Sequence, residues 1–220
     1  MPFDLKAVSL RLERNSMIEP HEALVFDYDG VIADTERLHW KSWAALLEQY
    51  GIRLGWEEYC RIGQGVSDRE LFELFGAQMR PADAAELSGR NQERKQMVRE
   101  WSLKECPIPQ ETVELMGTLG DYRVGLVTSS ERVEVEPVLR AAQIYWNFDA
   151  MVFGGEPEAP KPSPAPYLLV AARLGVKTGT AFEDSEPGLA SARAAGFREV
   201  KIYRPSELKS IVAQLLGRPC

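Results

Sequence analysis

Leu24-Val25-Phe26-Asp27-Tyr28-Asp29-Gly30 is a short apolar run that stops abruptly on two carboxylates and a glycine. An apolar run of this length fits a strand buried on both faces of a sheet, and Gly30 permits a turn at its end. Asp27 and Asp29 stand two residues apart, so in extended or turning backbone both side chains can face one ligand. Carboxylates this close repel unless a cation or a shared proton intervenes, and hard oxygen donors suit magnesium. A phosphoryl group also needs its charge neutralised before an anionic carboxylate can approach it. The same residues fit an Asx-type turn with Asp29 solvated, and the stretch alone leaves both readings open.

Outward from this strand, short apolar runs alternate with amphipathic segments, the pattern of strand and helix units in a parallel sheet. The next clear strand, at 123–127, follows a long helical stretch: Leu38, Trp40, Trp43, Leu46 and Leu47, then Leu71, Phe72, Leu74 and Phe75, then 82–101. Beyond it the alternation resumes, with strands at 123–127, 151–153, 180–182 and 199–202 and helices at 132–142, 165–174, 187–195 and 207–216. Gly175 and Gly196 end helices, while Pro164, Pro187 and Pro205 stand near helix starts. The expectation is an α/β fold: a doubly wound, Rossmann-like parallel-sheet core from 1–34 and 106–220, with a small α-helical cap domain at 35–105 inserted after the first strand. Ligands in open α/β sheets bind beyond the carboxyl ends of the strands, so such a cap would sit over the site.

Three further clusters fall at expected strand ends. Phe182-Glu183-Asp184-Ser185-Glu186-Pro187-Gly188 places acids on the same sheet edge as Asp27, so Asp184, with or without Glu183, could complete a metal site begun by Asp27 and a backbone carbonyl such as that of Asp29. Asp184 or Ser185 also reads as the cap of the following helix. Val127-Thr128-Ser129-Ser130-Glu131-Arg132 offers hydroxyls and free amides at a helix start, which bind phosphate oxygens and equally serve as caps. Lys161, in Pro160-Lys161-Pro162-Ser163-Pro164, sits on a loop stiffened by prolines, where it could neutralise phosphate and carboxylate charge or simply be solvated. Each cluster alone is ambiguous; their succession at consecutive strand ends is hard to obtain by chance.

The chain has 220 residues, 45% hydrophobic and 27% charged, an ordinary globular composition with room for one domain and a smaller companion. Its net charge is -7, and lysines and arginines are scattered, so no basic footprint for nucleic acid or anionic lipid stands out. No apolar run approaches the roughly 20 residues of a membrane span. Cys60, Cys106 and Cys220 are odd in number and lack CxxC spacing, which fits a reducing compartment, and a cytoplasmic location is expected. Val8, Leu10 and Leu12 alternate as in a short strand or a loosely attached arm.

Taken together, Phe26-Asp27-Tyr28-Asp29-Gly30-Val31-Ile32-Ala33-Asp34-Thr35-Glu36, Val127-Thr128-Ser129-Ser130, Lys161-Pro162-Ser163-Pro164, Glu183-Asp184-Ser185-Glu186-Pro187-Gly188 and Ala194-Ala195-Gly196 resemble the haloacid dehalogenase superfamily of aspartyl phosphatases. Within it they are similar to the branch of beta-phosphoglucomutase and phosphoglycolate phosphatase-like enzymes, over residues 22–216. The resemblance implies that Asp27 attacks phosphorus and becomes an aspartyl phosphate, while Asp29 protonates the leaving oxygen and later activates water or an acceptor hydroxyl. It further implies Thr128, with Ser129, and Lys161 as phosphate-binding residues, and Mg2+ held by Asp27, the Asp29 carbonyl and Asp184, with Glu183 beside them. His39 aligns with a histidine near the cap hinge that hydrogen-bonds the acid/base aspartate. Asp68 stands where the mutase carries a substrate-phosphate arginine, with Arg69 adjacent; Arg90, Asn91, Arg94 and Lys95 are further polar or basic candidates.

The expected activity is hydrolysis of a small phosphorylated metabolite, such as a sugar phosphate or a phosphoglycolate-like compound, with a sugar-phosphate mutase as the alternative. A haloacid dehalogenase would need neither magnesium nor the Glu183-Asp184 pair, and a non-catalytic module would not keep every catalytic position filled. Trp40, Trp43, Trp56, Arg61 and Arg69 are candidates for setting the substrate, although core packing explains the tryptophans as well. No nucleic-acid or membrane partner is expected, and the chain is read as a monomer or weak homodimer.

Overall fold

Leu24 and Phe26 point to one side of the sheet and Ala23 and Val25 to the other, and all four are fully buried. That two-sided burial is why the first strand, β1 (Ala23–Phe26), is apolar throughout and does not alternate. The computed structural model describes residues 22–63, 66 and 68–218. The alternating Val8, Leu10 and Leu12, together with Gly65, Ser67 and Cys220, lie outside them.

After β1 the chain forms α1 (Glu36–Glu48), α2 (Trp56–Ile62), α3 (Asp68–Gly76), α4 (Pro81–Ser88) and α5 (Asn91–Lys104), with no strand among the described residues of this stretch. It then runs through α6 (Gln110–Met116), β2 (Arg123–Val127), α7 (Arg132–Ala141), β3 (Ala150–Val152), α8 (Ala165–Leu174), β4 (Gly179–Glu183), α9 (Glu186–Ala194), β5 (Arg198–Lys201) and α10 (Leu208–Leu215). The five strands form one parallel sheet in the order β3-β2-β1-β4-β5. The expected strands and helices of the core are present with ends displaced by one or two residues. Helix α6 was not anticipated, and the single helical run expected at 82–101 is two helices separated at Gly89.

The order places β1 at the centre, with the chain reaching β2 on one side and β4 on the other. β1 and β4 therefore flank the crevice where connections diverge, the place at which open α/β sheets bind ligands. Phe26 and Phe182 stack across these two strands at 4.8 Å, closing the floor beneath that crevice.

Helices α1 to α4 and the segment between α1 and α2 build a separate apolar cluster from Trp43, Leu46, Leu47, Leu54, Tyr59, Leu71, Phe75 and Leu87. Short helices are marginal in isolation, and burying eight such side chains at roughly 1.5–3 kcal/mol each is what holds them together. Trp40 and Trp56 pack edge to face at 5.7 Å, and Trp40 donates to the Leu54 carbonyl, so both belong mainly to this packing. The segments leaving and re-entering the core are tied by Asp34 N–H donating to the Pro107 carbonyl at 2.8 Å. No helix among the described residues is long and apolar enough to cross a membrane.

Candidate active site

Asp27 follows β1 directly, and its N–H still donates to Phe182 O at 3.0 Å, so the sheet ladder fixes the backbone that carries it. Lys161 arrives from the loop between β3 and α8, where the Lys161-Pro162 bond is cis. Its ammonium donates to Asp27 Oδ1 at 2.9 Å and to the Val127 carbonyl at 3.1 Å, and lies 2.6 Å from Glu183 Oε1. All three ammonium donors are thereby used. Tyr167 donates to Glu183 Oε1 at 2.7 Å and Ser185 to Oε2 at 3.4 Å, so Glu183, wholly buried, is spoken for on both oxygens. Burial, then the neighbouring Glu183, pushes the Asp27 carboxyl well above the usual carboxylate range, with Lys161 opposing. Burial works against the Lys161 charge, but Asp27 and Glu183 outweigh it and hold the ammonium above its ordinary range.

Asp29 has a different environment. Thr35 donates to its Oδ1 at 2.6 Å, Ser130 donates to its Oδ2 at 2.7 Å, and His39 Nε2 lies 3.7 Å from Oδ1. Burial alone would raise this carboxyl, yet the facing His39 and the hydrogen bonds from Thr35 and Ser130 bring it below its usual value. His39 is held above its ordinary range because Asp29 outweighs burial. On the other side of the ring, Arg94 Nη1 stands 3.3 Å from His39 Nδ1. A guanidinium can only donate, so in the neutral imidazole Nδ1 accepts and the Nε2 proton faces Asp29. Arg94 also donates to Ser42 Oγ at 3.2 Å and forms a short ion pair with Asp68.

Asp27, Glu183 and Asp184 bring one carboxylate oxygen each within 4.8 Å of one another. Asp184 is pushed up to about 7 by burial and by Glu183. Gly30 has φ +75°, and a Cβ there would fall 2.1 Å from Asp184 Oδ2, so glycine alone lets the Asp29–Gly30 main chain pass against that carboxylate. The donor set, hard oxygens converging with excess negative charge, fits a magnesium ion. Asp27 and Asp184 are the side chains suited to hold it; Glu183, already engaged by Lys161 and Tyr167, supports them.

A cavity of about 700 Å³ opens above these residues. Asp27, Asp29, Ser129, Ser130, Lys161 and Asp184 form its floor; His39, Trp43, Tyr59, Asp68 and Arg94 come from the inserted helices and form its roof. Thr128 is buried behind the wall, where its Oγ1 accepts from Ser130 N–H at 3.0 Å. Arg69 is not part of this cavity: 85% of its side chain is exposed, it faces Glu73 at 3.8 Å, and it lines a separate outer groove with Phe72 and Asn91. Its place one residue after Asp68 on α3 turns it to the outer side of the helix. Arg61 likewise faces Glu58 on the surface. Thr35, Ser130, Glu36 and Tyr167 were absent from the expected site; Ser130 and Thr35 stood inside the quoted motifs, while nothing in the local sequence marked Tyr167.

The sequence model of the haloacid dehalogenase-like hydrolase family matches residues 24–202. The phosphorylated carbohydrates phosphatase of Thermotoga maritima is 34% identical over 182 residues, covering 81% of this chain and 83% of that protein. The beta-phosphoglucomutase of Bacillus subtilis is 28% identical over 197 residues, covering 82% and 83%. The crystal structure of CbbY from Rhodobacter sphaeroides in complex with phosphate superposes with a TM-score of 0.65 at 26% identity, covering 83% of this chain and 85% of that one.

Proposed function

The chain belongs to the haloacid dehalogenase-like hydrolase family, and from that premise we propose that it is a magnesium-dependent phosphatase of small phosphorylated metabolites, with Asp27 as its nucleophile. The observation that carries this reading is the contrast between two aspartates two residues apart: Asp27 is gripped by Lys161 inside the carboxylate cluster, and Asp29 is held outside it by Thr35, Ser130 and His39.

In the first step an Asp27 carboxylate oxygen attacks phosphorus as the bond to the leaving alkoxide oxygen breaks, and Asp29, which must first take up a proton because its hydrogen bonds hold it ionised at rest, passes that proton to the leaving oxygen. In the second, Asp29 takes a proton from the water that attacks phosphorus, and Asp27 is released with inorganic phosphate. The network from Thr35, Ser130 and His39 fixes the Asp29 carboxyl for both transfers. Lys161 balances charge on Asp27 and on the transferring group, while the Ser129 and Ser130 side of the cavity receives phosphoryl oxygens. A magnesium ion held by Asp27, Asp184 and the Asp29 carbonyl would supply charge neutralisation at the phosphoryl group. The helices at 35–105 are read as a cap whose roof excludes bulk water.

A sugar-phosphate mutase is the second reading, favoured by the similarity to the Bacillus enzyme. Incubation with glucose 1-phosphate separates them: the phosphatase reading expects inorganic phosphate and no accumulating glucose 6-phosphate. Asp27→Asn should lower turnover of an aryl phosphate more than about a thousand-fold. Equal rates for the two proteins would remove Asp27 from the chemistry.

A further inference from the structure

The roof of the cavity carries charge that is already balanced from within. Arg94, only 2% exposed, is bound to Asp68, and Lys95 lies 2.7 Å from Glu131 and 3.4 Å from Glu134. Among the described residues these are the basic side chains, other than His39, that the inserted helices place on the cavity, whereas Glu36 and Asp68 line it from the same helices and Glu134 lines it from α7. Arg69 and Arg90 are turned away from it: Arg69 is mostly exposed, and Arg90 donates to Glu93 and Gln49, each at 2.7 Å. Asp27, Glu183 and Asp184 are the one group of three or more such ligands suited to a metal among the described residues.

We propose that Asp68, held against Arg94 at the roof, is the specificity residue that restricts the enzyme to monophosphate esters of neutral polyhydroxy compounds and rejects substrates with a second anionic group. The inference rests on the phosphatase reading and narrows it. A second phosphate or a carboxylate on the substrate finds Arg94 and Lys95 already paired with carboxylates, with Glu36 beside them, so it gains no unpaired cation in exchange for its hydration, which acts as negative selection. Hydroxyl groups meet the opposite situation, since Glu36, Asp68 and Glu134 accept hydrogen bonds and Trp43, Tyr59 and Leu71 offer apolar surface to carbon-bound hydrogens. With Arg94 and Lys95 balancing these carboxylates, an ammonium group gains no net attraction either. Asp68 also keeps the Arg94 guanidinium, which faces His39, from pairing with the substrate instead.

The test compares kcat/KM of the full chain with magnesium on glucose 1-phosphate, glucose 1,6-bisphosphate, 2-phosphoglycolate and phosphoethanolamine, with p-nitrophenyl phosphate as reference. Glucose 1-phosphate should lead the two compounds with a second anionic group, and phosphoethanolamine, by about ten-fold or more. In Asp68→Asn the ratio of glucose 1-phosphate to 2-phosphoglycolate should fall about ten-fold, because Arg94 is then left to bind the carboxylate. The unmutated enzyme's panel stands whether or not the variant folds. Comparable turnover of the bisphosphate, a lead by phosphoethanolamine, or an unmoved ratio in a folded Asp68→Asn overturns the inference while leaving the phosphatase reading intact. Failure on every ester, the aryl phosphate included, overturns both.

Discussion

Lys161 occupies a point where two carboxylates and a carbonyl converge, and its side chain is only 7% exposed. Removing an ammonium from such a place strands Asp27 and Glu183 as buried, uncompensated acids, a loss that typically costs 3–5 kcal/mol, or about that much here. Lys161→Met is therefore expected to lose that amount in urea unfolding and to reduce turnover by more than about a hundred-fold, since the phosphoryl group also loses its fixed positive partner. A variant retaining turnover within about ten-fold of the parent would show that Lys161 is structural only. Asp27, Asp29, Asp184 and Lys161 were legible because each stands in a short motif at a strand end. Tyr167 was not, because its partner Glu183 lies 16 residues away and a tyrosine in an apolar helix reads as packing. Arg69 was misjudged for the converse reason: charge in the right stretch says nothing of which helix face it occupies.

Helix α9 shows at the element scale that a cap and a catalytic motif can be the same residues. Ser185 is its N-cap, with Oγ accepting from Gly188 N–H at 3.2 Å, and the same hydroxyl reaches Glu183. Gly188 is required by contact: a Cβ there would fall 1.9 Å from Glu183 Oε2. The two readings of the acidic stretch, helix cap and carboxylate cluster, are thus both true. Ser185→Ala should destabilise the chain by about 0.5–2 kcal/mol, seen as a lower urea midpoint at unchanged slope. An unchanged midpoint would mean that another group caps the helix. The strands were legible because both faces of this sheet are covered, which makes each one a continuous apolar run. Helix α6 escaped notice because seven residues, with Thr112, Leu115 and Met116 buried, span too few turns to show a period. Helices α4 and α5 read as one because neither a proline nor a strand-like apolar run separates them and Gly89 is a weak break.

For the whole molecule, sequence order carried the sheet and the run of helices after its first strand, but the roof of the cavity depends on contacts such as Arg94 with His39, 55 residues apart, that no local pattern announces. The floor has a consequence for the stability of the entire fold. Burial and Glu183 raise Asp27 well above its ordinary value of 3.8 and push Asp184 up to about 7, so these two groups hold protons in the folded chain that the unfolded chain has released. By linkage, stability contributed at these positions is present below about pH 4 and falls as pH rises toward about 7. Asp29 works in the other sense, but its lowered value puts its loss of stability below pH 3.8, outside that window. A cation that takes the deprotonated Asp27 and Asp184 as ligands binds more tightly as those protons leave, and ligand binding to the folded state alone raises its stability by mass action. The rise in Tm produced by saturating magnesium should accordingly be larger at about pH 7 than at about pH 5, and Asp184→Asn should reduce both the rise and its dependence on pH. Calorimetry at the two pH values decides this: equal rises, or a larger one in acid, would separate the metal from these carboxylates.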